Sequence, residues 1–210
     1  RHSQRSSTTS VGIGAGHVAI RSSDSDIASG TDRPLTFAGR SSAIVPAGSD
    51  LWGDSVTLTV SAGQDLAISL YVPGSFVPTT EGGRAQVKTA YHSAGNQVSA
   101  TSLRGASTTR QVFAVYEVQV LASGPGAAIA ALGESITEGA CSAVDPDGNW
   151  PDRHPAQLPS LPDGTAVAVL NAGIGSGRLA SSDGAGLRGL SRLDELLRLP
   201  AVRWVTLLMG

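Results

Sequence analysis

The sequence predicts two kinds of sheet in succession: an antiparallel β-sandwich, then the opening βαβαβ of a parallel, doubly wound α/β sheet. Three observations predict this. Apolar and polar residues alternate with period two from Val11 to about Leu121, with no helical stretch among them. The composition then breaks at residues 122–126, Ala-Ser-Gly-Pro-Gly, a linker-like string. Beyond it, three mostly apolar runs alternate with helical segments, as parallel strands covered on both faces do.

The elements follow in order. Val56, Leu58 and Val60 alternate with Ser55, Thr57 and Thr59, and Leu66, Ile68, Leu70 and Val72 alternate with Ala67, Ser69 and Tyr71. Val87, Thr89 and Tyr91 make a shorter alternation, and Val112, Ala114, Tyr116, Val118 and Val120 share one face of a last strand. Pro46-Ala47-Gly48, Pro73-Gly74 and Gly82-Gly83 supply the turns. Residues 94–110 are small and polar, which predicts a long exposed loop. After the linker, Ala127 to Leu132 forms the first parallel strand, Ala166 to Leu170 the second, and Val202 to Met209 the third. Asp152 is the expected cap of a short helix reaching Leu158. Ser191 to Leu199 is a second helix, with Ser191 and Asp194 as a capping box, Leu193, Leu196 and Leu197 on one face, and Pro200 beyond its end.

Composition narrows the function. Fifteen basic and seventeen acidic side chains leave a net charge of −2, with no Lys/Arg cluster, so neither nucleic acid nor an anionic membrane surface is an expected partner. A single cysteine, Cys141, excludes an intrachain disulfide framework and a multi-cysteine zinc site. With no basic neighbour it is expected to be a buried or idle thiol. No apolar run is long enough for a transmembrane segment. His2, His17, His92 and His154 lack metal-ligand spacing, and no metal or cofactor is expected. Gly12-Ile13-Gly14-Ala15-Gly16 and Gly173-Ile174-Gly175-Ser176-Gly177 both lack the last glycine of the dinucleotide fingerprint. Asp145-Pro146-Asp147-Gly148-Asn149 is a turn, since a calcium loop would need a glutamate where Ala156 stands.

Ser135 stands apart. It follows the first parallel strand directly, and residues at that end of a central strand face the crevice where open α/β sheets bind ligands. Two readings remain open from position alone: a nucleophile, or an ordinary serine in a strand-to-helix turn.

Gly133-Glu134-Ser135-Ile136-Thr137-Glu138-Gly139 resembles the first block, G-D-S-x-T-x-G, of the SGNH (GDSL-type) esterase and lipase hydrolases. Asn149-Trp150-Pro151-Asp152 is similar to a W-P-D segment of one bacterial branch, and Leu170 to Leu179 resembles the second block, N-x-G-I-x-G-N-R-L. Val202 to Gly210 resembles the strand that leads to the third block, and Arg33 to Pro73 resembles the β-rich domain that precedes the hydrolase in that branch. The resemblance implies an accessory β-sandwich over residues 1–122 and the first half of a flavodoxin-like SGNH hydrolase domain over 127–210. It implies hydrolysis of carboxylic esters, with acyl or acetyl groups on a lipid, a carbohydrate or a small molecule, by an extracellular protein. Ser135 would be the nucleophile, and the backbone N–H groups of Ser135 and Ser176 would form part of the oxyanion hole. Gly133, Glu134, Asn171 and Gly175 would lie close by.

The departures from the pattern matter as much. Glu134 stands in place of the family's aspartate, Ser176 in place of the oxyanion glycine, and Gly177 in place of asparagine. The family's third oxyanion donor and its triad Asp and His would follow Gly210. The chain is therefore expected to be a β-domain without its beginning joined to half of a hydrolase, with little esterase turnover of its own. Its last strand, holding Val205, Leu207 and Leu208, is expected to end the sheet as an exposed apolar edge. The alternative is a glycan-binding β-sandwich with a non-catalytic hydrolase remnant, for which Trp52, Tyr71, Phe76 and Tyr91 are the available aromatics.

Overall fold

A computed structural model describes residues 2–3, 8–74, 88–111, 114–154, 158, 160–181 and 188–209. The chain divides into two compact units: Arg1–Thr79, Ala90–Thr109 and Phe113–Glu117 in one, Thr80–Thr89, Arg110–Val112 and Val118–Gly210 in the other.

The first unit holds only antiparallel pairings among its described residues. Its strands are β1 (His2–Ser3), β2 (Val11–Ile13), β3 (Ala15–Ser23), β4 (Asp26–Ile27), β5 (Arg33–Pro34), β6 (Ala43–Val45), β7 (Asp50–Leu51), β8 (Leu66–Tyr71), β9 (Ala90–His92) and β10 (Ser107–Thr109). β3 is the organising strand and pairs with β4, β5 and β8, while β2 pairs with β6, β1 with β7 and β9 with β10. Val11, Ile13, Phe37 and Val45 form the core, with Ala43, Leu51, Leu70 and Val72 packed on it. Each of the four core side chains contributes about 2 kcal/mol by leaving water. The glycines of the 12–16 string serve this packing. A side chain at Gly14 would meet the Tyr71 ring and one at Gly16 would meet Leu70 and Leu35, so β3 can lie close to its neighbours only without them.

Asp54 fixes the turn that aims Phe37 inward. Its carboxylate accepts hydrogen bonds from Thr36 Oγ1 at 2.7 Å, Ala38 N at 3.0 Å and Gly39 N at 2.8 Å. Ala38 and Gly39 both have positive φ, which turns their N–H groups toward one anion. The Gly39 amide first, then the Thr36 hydroxyl, holds the Asp54 carboxyl below the usual carboxylate range.

Three expectations need correction here. Residues 56–60 keep the expected alternation, with Val56, Leu58 and Val60 half-buried and Thr57 and Thr59 exposed, but they belong to no ladder. Alternation reports which face meets the core, and a ladder needs a partner strand as well. The run ending at Val120 is likewise no strand over 114–120: Ala114 takes φ 58°, which breaks the extended backbone, and Val118 and Val120 are exposed. Residues 94–110 are not all loop, because β10 pairs there with β9 and Val98 is buried. Gly82-Gly83, Val87, Val112 and Phe113 lie outside the described residues.

The second unit is a parallel sheet with helices in its connections. It comprises β11 (Gly126–Gly133), α1 (Ser135–Glu138), α2 (Trp150–Arg153), β12 (Ala166–Gly173), α3 (Gly189–Leu196) and β13 (Val202–Leu208). The strand order is β12-β11-β13, with both pairings parallel. β11 is therefore central. Its Ala127, Ala128, Ala130, Ala131 and Leu132 are all buried, as a strand covered on both faces requires. β13 is an edge among the described residues and leaves Leu207 at 55% and Leu208 at 49% exposure. No helix among the described residues is long and apolar enough to cross a membrane.

Both predicted helix starts move. α2 is capped by Asn149, not Asp152. The buried Asn149 accepts from Asp152 N at 2.8 Å and donates through Nδ2 to the Asp152 carboxylate at 2.8 Å. Pro151, fully buried, occupies the first turn, where a missing N–H goes unnoticed. Asn149→Ala removes both bonds and is expected to lower stability by about 1 kcal/mol, read as a shift in the urea unfolding midpoint. α3 begins at Gly189 with no side-chain cap, so Ser191 lies inside it and the capping box is not formed. Gly189 lies against Met209, and a side chain there would meet Met209 Sδ at 2.8 Å. That contact seats the helix two residues earlier than its capping chemistry suggests.

Candidate functional site

The predicted site residues gather at one end of the parallel sheet. Gly133 ends β11 and pairs with Gly173 at the end of β12 and with Leu208 at the end of β13. The chain leaves β11 for one neighbour and later returns to pair on its other side, so this end is a topological switch point. Ser135 lies two residues beyond Gly133 and opens α1.

α1 is short and its position is set by two glycines. A side chain at Gly133 would meet Thr137 Oγ1 at 2.0 Å and Leu208 O at 3.0 Å. One at Gly173 would meet the α1 backbone itself, Glu138 N at 2.1 Å and Thr137 C at 2.6 Å. The helix thus lies directly on the strand ends. It is closed by Glu138 N donating to Glu134 O at 3.0 Å and Gly139 N to Ser135 O at 3.0 Å. Gly139 follows with φ 127°, a conformation glycine adopts without a steric penalty.

Glu134 and Ser135 are joined. Ser135 Oγ donates to Glu134 Oε2 at 2.7 Å, and Ile136 N donates to Glu134 Oε1 at 3.3 Å. The Ser135 hydroxyl first, then the amides of Ile136 and Ser135, hold the Glu134 carboxyl below the usual carboxylate range. The Glu134 carboxylate thus receives its neighbour's hydroxyl and the Ile136 amide at once. Glu134 N in turn donates to Leu208 O at 3.2 Å, which ties the pair to β13.

The second block is built around a residue the sequence did not single out. Glu138, buried on α1, accepts from Gly175 N at 2.8 Å, and its carbonyl accepts from Asn171 Nδ2 at 3.4 Å. Asn171 Oδ1 accepts from Gly173 N at 2.9 Å. Asn171 and Gly175 therefore hold the β12 turn to α1. Ile174 N donates to Gly133 O at 3.1 Å, and Gly177 N closes the turn on Ile174 O at 2.9 Å. Ser176 sits exposed in that turn at φ 60°, the left-handed region in which glycine is relaxed. Gly177 has no room for a side chain, since Ile174 O would lie 2.7 Å from it.

Arg192 is the other residue that sequence reasoning missed. It lies on α3, 3% exposed, and its guanidinium donates to Ala172 O at 2.5 Å and Gly133 O at 3.3 Å. A charged residue just ahead of the predicted leucine face carries no local mark of burial, so only the fold reveals it.

The remaining candidates lie elsewhere in the chemistry. Among the described residues, no hydrogen bond joins Ser135 to Ser176, Asn171 or any histidine. His154 caps the C-terminus of α2 and meets the Trp150 ring edge-on at 6.2 Å. His17 bonds Asp32 at 2.8 Å in the other unit, and Cys141 is an exposed free thiol, not a buried one. The 145–149 turn uses Asp145 to accept from Thr89 N and Oγ1, both at 2.8 Å, while Asp147 pairs with Lys88 at 2.6 Å. Of the aromatics weighed for glycan binding, Trp52 is 47% exposed, Tyr71 and Tyr91 are half-buried, and Phe76 lies outside the described residues.

The chain matches no model of a known protein family and no curated protein.

Proposed function

We propose that residues 127–210 are the nucleophile-bearing half of an SGNH-type serine ester hydrolase, acting on carboxylic esters of a lipid, a carbohydrate or a small molecule outside the cell. Residues 1–122 form its accessory β-sandwich. One observation carries this reading: Ser135 follows the central parallel strand at the switch point, and the glycines of both resembling blocks clear the space in which its helix lies. The order β12-β11-β13 is also that with which a flavodoxin-like sheet opens, its first strand flanked by the second and third.

In this reading Ser135 Oγ attacks the ester carbonyl, and the N–H groups of Ser135 and Ser176 receive the oxyanion. The histidine base and the third donor of such an enzyme are not among the described groups that bond Ser135. Turnover of this chain is accordingly expected to stay about four orders of magnitude or more below that of a full triad.

A fluorophosphonate probe tests the assignment without requiring turnover. One phosphonyl group per chain is expected on the peptide holding Ser135, read by mass spectrometry, and none on Ser135→Ala. Equal labelling of the two proteins, or none of either, overturns it.

A further inference from the structure

We propose that Glu134 is the proton acceptor of Ser135, so that this chain carries a self-contained Ser–Glu dyad able to form an acyl-enzyme without a histidine. The proposal rests on the reading of Ser135 as a nucleophile. Its basis is geometric. The Ser135 hydroxyl already donates to the carboxylate, with Oγ 2.7 Å from Glu134 Oε2, inside the range for direct proton transfer. Among the described residues no other side chain bonds that hydroxyl. Glu134 is itself held from both sides, by Ile136 N on Oε1 and by its own N–H on Leu208 O, so the carboxylate is oriented before substrate arrives.

The step balances as follows. Ser135 Oγ bonds to the acyl carbon while its proton passes to Glu134 Oε2. The tetrahedral intermediate then expels the alcohol, which takes that proton and restores the carboxylate. Deacylation repeats this with water in place of Oγ.

The charged groups on the elements packed around the pair are few. Glu138 on α1 is engaged with Gly175 N, and Arg192 of α3 bonds Gly133 O and Ala172 O. β12 contributes the neutral Asn171, and β13 ends in Leu207 and Leu208.

The test is the acetylation burst of the full chain with p-nitrophenyl acetate, followed at the isosbestic wavelength of the released phenol from pH 3 to 8. The wild-type burst rate is expected to be level from pH 8 down through the histidine range and to fall tenfold per unit only below the ordinary glutamate range, because the Ser135 hydroxyl holds the Glu134 carboxyl below it. Glu134→Gln is isosteric and is expected to slow the burst about 100-fold while retaining the wild-type circular dichroism and melt. A break near pH 6.5 would identify a histidine base and overturn the dyad, as would an unchanged rate in Glu134→Gln. The wild-type profile decides the matter even if the variant misfolds. The two claims fail separately: a Ser135-dependent burst indifferent to Glu134 removes only the dyad, whereas a burst that survives Ser135→Ala removes the nucleophile as well.

Discussion

Gly173→Ala is expected to lower the stability of the parallel-sheet unit by about 3 kcal/mol or more, among the larger effects of adding one methyl group. The new Cβ would lie 2.1 Å from Glu138 N, 2.6 Å from Thr137 C and 2.7 Å from Glu138 Cα. All three are backbone atoms, so no side-chain rotation relieves the overlap. Either β12 draws away from β11 or α1 lifts off the strand ends, and both movements break the bonds from Gly175 N and Asn171 that hold the turn to α1. The guanidinium unfolding midpoint reads the loss directly, and fluorophosphonate labelling of Ser135 should fall with it, because α1 is what positions Ser135. Gly12→Ala is the control. It lies on β2 with nothing within 4 Å of its added Cβ, and should melt within about 1 kcal/mol of wild type. A Gly173→Ala protein as stable as Gly12→Ala would mean that α1 does not rest on the strand.

Arg192→Met is expected to cost about 2–3 kcal/mol, and Arg192→Lys distinctly less. Methionine fills much of the same volume but donates nothing to Ala172 O and Gly133 O, which the guanidinium serves from within the fold. Gly133 O keeps its bond from Ile174 N, so the larger part of the loss falls on Ala172 O. Lysine keeps the charge and one donor but cannot span two carbonyls on neighbouring strands with a rigid fork. Equal unfolding midpoints for Arg192→Met and wild type would show that Arg192 is merely enclosed and does not fasten β11 to β12.

Much of the second unit was legible because its signals are local. Three apolar runs marked β11, β12 and β13 to within a few residues, since a strand buried on both faces must be apolar along its length. The glycines of the two resembling blocks marked the place where backbone approaches backbone. In the first unit, Leu66 to Val72 was recovered as β8, and the Pro46-Ala47-Gly48 turn as the turn into β7. Residues 56–60 and 114–120 were not. The alternation of 56–60 indicates a face, whereas strand status depends on a partner that sequence spacing does not name, and 114–120 starts from a positive φ at Ala114 and leaves Val118 and Val120 exposed. The helix caps failed for a related reason. Ser191 and Asp152 are sound caps in isolation, but Met209 against Gly189 and the buried Asn149 placed the helix starts elsewhere.

What the sequence determined by itself is the order of strands and helices in the second unit and a serine placed just after the first parallel strand. These depend on hydrophobicity and turn chemistry read along the chain. The tertiary structure alone decided which groups surround that serine. It put the Glu134 carboxylate on the Ser135 hydroxyl, Glu138 on the Gly175 amide and a buried arginine on two strand-end carbonyls. These contacts, short and long in sequence alike, have no periodic signature: they follow from the directions in which a four-residue helix and two strand ends point their groups.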